Sequence, residues 1–384
     1  MTLRRVLFVS HRYVGLVLGL FLLVAGATGC LLVFRSDLDA MLNPDLFDVP
    51  VRPVLPATRI VAELARSHPD WRISGFDLQC RPGEALRVSR DSSTPGVAVE
   101  VFLDPANGRL LGERSTTAGA DRRHLLESVY RLHYTLLAGT AGRWLMGAAA
   151  LVWLALNIAG LCITWPRRRP LLANWRHAFR TSRRALHGRP LPELHRVSGM
   201  WLLPFLTVLA YSSAAMNFYD ELFRPLVEWI SPPRAGSPFD RPVTAPRSGP
   251  SIGYDAAVQR AQAAAATRTP RLRAVAMTDD PGHELYGVSF APGGTRLYEG
   301  YGRITYYLDR HDGHLRWVDQ PRLDGTGQLV LRSLYPLHSG QVAGLPTRLL
   351  VLVLGLVTCG LAITGFLPWW RRRSARPGRG GHPG

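Results

Sequence analysis

The sequence predicts an α-helical membrane protein: a four-helix transmembrane bundle from a duplicated two-helix unit, with two small α+β domains outside the bilayer. Three observations carry this reading. The chain holds four long uncharged apolar stretches, its basic residues crowd beside them, and the spacings of its first half return in its second.

The stretches run Tyr13 to Phe34, Trp144 to Trp165, Val197 to Tyr219 and Leu349 to Trp370, and they are nearly equal in length. At about 1.5 Å rise per residue such a run reaches roughly 33 Å, enough for a hydrocarbon core of about 30 Å. Trp144, Trp153, Trp165, Trp201, Trp369 and Trp370 read mostly as an interfacial belt. Gly15 and Gly19 form a G-x-x-x-G step, continued by Gly26 and Gly29, which predicts close helix packing and leaves room for a flat ligand.

A net charge of +18 invites a nucleic-acid reading, but its distribution argues against one. Every basic residue other than histidine is arginine. They gather as Arg4, Arg5 and Arg12, then Arg167 to Arg169 through Arg196, then Arg371 to Arg373 and Arg376. This is the positive-inside pattern. It predicts a multi-pass membrane protein whose N-terminus, central loop and C-terminus are cytoplasmic. The arginines then orient the chain and meet anionic lipid rather than nucleic acid.

The repeat sets the domain plan. The interval from His11 to Phe34 equals that from His195 to Phe218. The steps from His133 to Gly139 and on to Arg143 equal those from His338 to Gly344 and on to Arg348. Gly160-Leu161-Cys162-Ile163-Thr164 is echoed by Gly360-Leu361-Ala362-Ile363-Thr364. The expected organisation is a first span at 1–36, an outer domain at 37–125, a second span at 126–166 and a cytoplasmic Arg-rich loop at 167–194. A third span at 195–219, an outer domain at 220–335, a fourth span at 336–370 and a cytoplasmic tail at 371–384 complete it. Both halves start inside, so this is a parallel repeat.

The outer segments resemble each other. Ala57 to Ser67 and Ala256 to Ala265 read as helices. Ala85 to Ser89, Val97 to Leu103, Glu284 to Phe290 and Ile304 to Leu308 read as strands. Asp104 to Gly108 and Asp309 to Gly313 are turn signals, and Ser231 to Ser251 is a linker rich in Pro, Ser and Gly.

Four histidines sit at the span edges: His11 and His195 towards the cytoplasm, His133 and His338 towards the outer surface. An imidazole beside an apolar segment needs a partner. Alone, each is ordinarily a hydrated or capped side chain; the doubled arrangement points to a shared ligand, haem iron. Two imidazoles from facing helices fill both axial positions, a geometry for electron transfer, and haem b needs no covalent link. There is no C-x-x-C-H for c-type attachment. The expectation is two haem b groups, with His11 and His195 on one iron and His133 and His338 on the other. Arg12 and Arg196 would adjoin the inner group and Arg143 and Arg348 the outer, meeting propionates or anchoring the helices. His124, shortly before His133, is a possible substitute ligand. The polar residues Asn157, Thr207, Ser212, Ser213 and Asn217 could bond to neighbouring helices or to cofactor edges.

The His-Arg-x-x-Gly openings at His11 and His195, Leu132-His133-Tyr134, Leu337-His338-Ser339-Gly340 and the Asp-x-x-x-Gly turns together resemble the PepSY-associated transmembrane family. The resemblance implies a protein of the inner membrane of a Gram-negative bacterium, with outer domains that are PepSY-like. Some members are described as haem-containing reductases that release iron from siderophores in the periplasm, which implies a ferric-siderophore substrate. Others carry a flavin reductase module; none is expected here, so a separate cytoplasmic or membrane electron donor is implied.

Two other functions compete. A non-enzymatic, membrane-anchored PepSY module could bind or restrain a periplasmic protein, which leaves the repeated histidines without a role. A transporter of siderophore or iron is the other possibility, but a bundle of four helices is small for that task, and no acidic residue lies in any apolar run. No hydrolase, Walker or dinucleotide motif is present. No catalytic residue can be named.

Overall fold

Long apolar runs leave a backbone in lipid with one solution, to satisfy its own hydrogen bonds as helix. The computed structural model describes residues 2–240, 247, 249–292 and 300–374. The chain opens with α1 (Leu3–Leu32) and two short helices, α2 (Arg35–Leu42) and α3 (Pro44–Phe47). Then come α4 (Ala57–Ser67) and β1 (Ile73–Asp77), β2 (Leu86–Asp91), β3 (Ala98–Leu103) and β4 (Leu110–Ser115). The short α5 (Leu125–Thr135) precedes α6 (Gly139–Thr164); α7 (Leu171–Trp175) and α8 (Arg183–Gly188) precede α9 (Pro190–Asn217). The second half continues with α10 (Arg224–Ile230), α11 (Tyr254–Arg268), β5 (Arg273–Asp280), β6 (Leu285–Ala291), β7 (Ile304–Asp309) and β8 (Leu315–Asp319). It ends in α12 (Thr326–Ser339) and α13 (Leu345–Ser374). Residues 241–246 and 248 of the expected linker, and 375–384 of the expected tail with Arg376, lie outside the described residues.

Among the described residues four helices, α1, α6, α9 and α13, are long and apolar enough to cross a membrane. They run past the apolar stretches at most ends, so His11 lies well inside α1 rather than at its mouth. These helices form one unit of the chain. α1 packs on α13 and α6, and α9 packs on the same two, so the ring closes with α1 diagonally opposite α9. Small residues permit the α1–α13 crossing: a Cβ on Gly26 would lie 2.9 Å from the Gly355 carbonyl. A buried apolar cluster forms where Leu206, Leu209 and Leu354 meet Trp153, Leu202, Leu350 and Leu361.

The second and fourth spans differ from the expected continuous segments. Each is broken just before its apolar run. Leu136 and Leu137 take left-handed φ values of 52° and 60°, ending α5, and α6 starts anew at Gly139. Gly340 and Gly344, at φ 75° and 68°, make the equivalent break between α12 and α13. A Cβ on Gly142 would overlap the Thr135 carbonyl, so α6 begins tight against the end of α5.

The second unit of the chain is a sheet with helices on it. Here the expectation of two separate small domains is corrected. Both outer segments contribute to a single eight-stranded antiparallel sheet, in the order β4-β3-β2-β1-β5-β6-β7-β8. The halves join where β1 pairs with β5, Gly75 opposite Thr278 and Phe76 opposite Met277. Each half alone would leave a bare edge strand at that seam, a liability that pairing removes. α4 and α11 cover one face. Ile60, Val61 and Leu64 of α4 and Ala257, Ala261 and Ala265 of α11 are buried on Val88, Val101, Leu103, Val288 and Tyr306. The alternation along β2, β3 and β7 supplies this apolar face.

The expected turns form. Asp104 Oδ1 accepts from the Ala106 N–H and Asp309 Oδ1 from the His311 N–H, both at 2.9 Å. Gly108 and Gly313 close them at φ 74° and 69°, values that favour glycine. β1, β4, β5 and β8 were not expected as strands. The described part of the linker is anchored rather than loose, with the Arg234 guanidinium 3.6 Å over the Trp317 ring.

On its other face the sheet carries a buried ion cluster. Arg114 Nη1 donates to Asp39 Oδ1 at 2.7 Å, and its Nε to Glu100 Oε2 at 2.8 Å. Asn43 Nδ2 donates to Asp39 at 2.9 Å. Arg114→Ala strands two carboxylates and should destabilise this unit by about 3–5 kcal/mol. Thermal unfolding of the detergent-solubilised protein checks it; a midpoint equal to wild type would mean that the cluster contributes nothing.

Candidate functional site

Four imidazoles converge in two pairs inside the helical unit. His11 of α1 and His195 of α9 have ring centroids 6.3 Å apart at an interplanar angle of 88°. His133 of α5 and His338 of α12 have centroids 6.0 Å apart at 59°. The expected pairing is therefore the one that the structure brings together. His124 does not join it; in the sheet unit its Nδ1 bonds Asp121 at 2.7 Å and its Nε2 lies 3.5 Å from the Ser115 hydroxyl.

The position of each ring follows from local structure. α1 and α9 carry the first pair directly. The second pair reaches the bundle because α5 and α12 end at sharp left-handed turns that set His133 and His338 against neighbouring helices. His133 Nδ1 lies 2.9 Å from the Thr28 hydroxyl of α1. His338 Nδ1 lies 3.1 Å from the Ser212 hydroxyl of α9 and 3.4 Å from that of Ser213. His195 Nδ1 meets the Leu361 carbonyl of α13 at 3.1 Å and the Thr364 hydroxyl at 3.2 Å. His11 Nδ1 is buried with no hydrogen-bond partner among the described residues. Three of the four rings are thus tethered through Nδ1.

Glycines make space at the rings. A Cβ on Gly160 would lie 3.6 Å from His11 Cε1, and one on Gly365 would lie 3.5 Å from His195 Cε1. Gly160 stands as far after His133 as Gly365 does after His338.

The two pairs stand at different depths. Thr28 follows His11 on α1 at the same interval by which Ser212 follows His195 on α9. At about 1.5 Å per residue that interval is roughly 25 Å along the helix. The apolar plug of Leu206, Leu209 and Leu354 lies between the levels.

The four arginines named with the histidines have distinct surroundings. Arg348 is buried; its Nε and Nη2 donate to the Val33 carbonyl at 3.1 and 2.8 Å, closing the C-terminus of α1. Arg143 does the same for α9, donating to the Asn217 carbonyl and to Glu221. That guanidinium holds the Glu221 carboxyl down at about 2. Arg196 donates to the His177 and Arg180 carbonyls and pairs with Glu193, pinning the central loop to α9. Arg12 is half-buried, its guanidinium 5.3 Å from the Tyr13 ring centre. Of the spans' polar residues, Asn157 Nδ2 reaches Thr207 at 3.4 Å and Asn217 Nδ2 bonds the Ser213 carbonyl.

Sequence reasoning missed Thr28, Thr364 and the Leu361 carbonyl. The offset from the preceding histidine that Thr28 shares with Ser212 could have revealed the first; backbone acceptors leave no trace in residue type. The family described as the PepSY-associated TM region matches residues 8–372. No curated protein matches the chain.

The α5–α6 break sets His133, and it leaves no room at Gly142. Gly142→Ala should cost about 1–3 kcal/mol through overpacking. A lowered thermal midpoint checks this; unchanged stability would show that α6 does not start so close to Thr135.

Proposed function

The chain belongs to the PepSY-associated TM family, and from that premise we propose that it is a haem b protein of the bacterial inner membrane. It moves electrons from the cytoplasmic side to a ferric-siderophore on the periplasmic side and so releases the iron.

The observation that carries the proposal is the separation of the paired rings. Two imidazoles on one iron, each nitrogen about 2 Å from the metal, have centres roughly 6 Å apart. The observed 6.3 and 6.0 Å fit that requirement at both levels. The partners of the outer nitrogens fit as well. Ligating histidines characteristically spend their second nitrogen on a carbonyl or similar acceptor, and Nδ1 of His133, His195 and His338 does so here.

His11 and His195 would hold one haem, and His133 and His338 the other. Bound haem supplies a one-electron ferric/ferrous couple at each level. The chain's residues do the rest. The four imidazoles would hold the two groups, His11 with His195 and His133 with His338. Thr28, Ser212, Leu361 and Thr364 orient the rings. Leu206, Leu209 and Leu354 keep water out between the levels. Arg12 is the candidate for a propionate, whereas Arg143, Arg196 and Arg348 serve as anchors of helix ends and loop.

The arginine distribution supports the direction. The Arg-rich N-terminus, central loop and C-terminus read as cytoplasmic. The first pair then lies on that side, where a separate cytoplasmic or membrane donor delivers electrons. The acceptor rests on the family resemblance. One-electron reduction converts ferric to ferrous iron, which hard oxygen ligands bind less tightly.

Protein purified from haem-supplied cells should show a low-spin haem spectrum that sharpens with dithionite. His133→Ala or His338→Ala should remove about half of the haem, and His11→Ala or His195→Ala the other half. Folded wild-type protein without colour would defeat the proposal. Equal loss of all haem in every variant would defeat the two-level pairing.

A further inference from the structure

Thr28 and Ser212 occupy matching places, at equal intervals after His11 and His195, on the two helices that face the second imidazole pair. Each hydroxyl also has a carbonyl of its own helix within reach: Thr28 Oγ1 lies 2.6 Å from the Val24 carbonyl, and Ser212 Oγ 3.1 Å from the Leu209 carbonyl. A hydroxyl has one hydrogen; spent on that carbonyl, it leaves the oxygen to accept from the ring, and the facing Nδ1 then carries the proton. Around His338 the Ser213 hydroxyl also lies near Nδ1, at 3.4 Å.

We infer that Thr28 and Ser212 are positioning residues that fix His133 and His338 as the Nδ1–H tautomer and turn the lone pair of each Nε2 into the bundle. This rests on the proposed haem-binding function and deepens it by naming what prepares the second pair for a metal. The first pair is prepared differently. His195 faces the Leu361 carbonyl, and the Thr364 hydroxyl beside it is itself spent on the Gly360 carbonyl at 2.6 Å. Side chains hold one level and backbone largely holds the other, so the second level can be altered by substitution without touching the first. An N–H donated to an acceptor makes the imidazole a stronger electron donor, which favours the more highly charged ferric state. Losing the acceptor should therefore raise the midpoint potential of the second haem only.

The experiment compares Thr28→Val with Ser212→Ala, singly and together, against Thr28→Ser and Ser212→Thr. Ring-labelled nitrogen NMR of the haem-free full chain reads the tautomers of His133 and His338 directly. Redox titration and electron paramagnetic resonance of the haem-loaded protein read the two centres separately. The expected result is mixed tautomers in the double variant, haem affinity at the second level reduced about 10–100-fold, a raised midpoint there and an unchanged first centre. The conservative variants should restore wild-type behaviour. Wild-type tautomers and an unshifted second centre in the double variant would overturn the inference. If the double variant does not fold, the single variants decide by the same two readings. Failure of the underlying function looks different: wild-type protein would bind no haem, whatever the NMR shows.

Discussion

The helical unit depends on one constraint, that an imidazole buried among apolar helices must find a partner for the nitrogen it does not present. Four rings impose that demand at two depths, and the ring of helices answers it for three of them by exchange between neighbours. α1 offers a hydroxyl to His133, α9 offers hydroxyls to His338, and α13 offers a carbonyl and a hydroxyl to His195. These bonds fix the axial register of neighbouring helices more sharply than lipid-facing apolar contacts can, because hydrocarbon is a poor discriminator between one turn and the next. The arginines at the far helix ends add to the same register, Arg348 on the Val33 carbonyl and Arg143 on the Asn217 carbonyl.

Glycine and left-handed backbone then do the fine placement. The breaks at Leu136–Leu137 and at Gly340 detach α5 and α12 from the spans that follow. Without those breaks His133 and His338 would sit on the continuous helical axis, unable to turn back to Thr28 and Ser212. Gly160 and Gly365 leave the space beside His11 and His195 that any larger residue would fill. Polar tethers and small residues together explain how a bundle with a thin apolar plug holds rings in definite places.

The sheet unit obeys a different constraint. A four-stranded antiparallel sheet with one helix has a marginal core and two open edges. Joining β1 to β5 removes one edge from each half, and it lets α4 and α11 bury a single apolar face between them. The buried Arg114 cluster on the opposite face then distinguishes that surface from the apolar one.

Much of this was legible in residue order, for reasons of local physics. Span lengths follow from hydrocarbon thickness, the turns at Asp104–Gly108 and Asp309–Gly313 from Asp and Gly chemistry, and α4 from helical spacing of Ile60, Val61 and Leu64. The four histidines stood out because their spacing repeats. What could not be read locally was anything settled by a partner distant in sequence. β1 and β5 carry mixed patterns, and each pairs with a strand of its own half as well as with the other, so that two expected domains proved to be one sheet. Arg143 and Arg348 resembled ligand-binding residues until the carbonyls of Asn217 and Val33, fixed by chain reversal, came within reach. Identity and periodicity alone therefore determined the spans, the turns and the four imidazoles; tertiary structure decided which ring meets which, which nitrogen is tethered and where the sheet closes, because those outcomes depend on contacts between segments that composition does not encode.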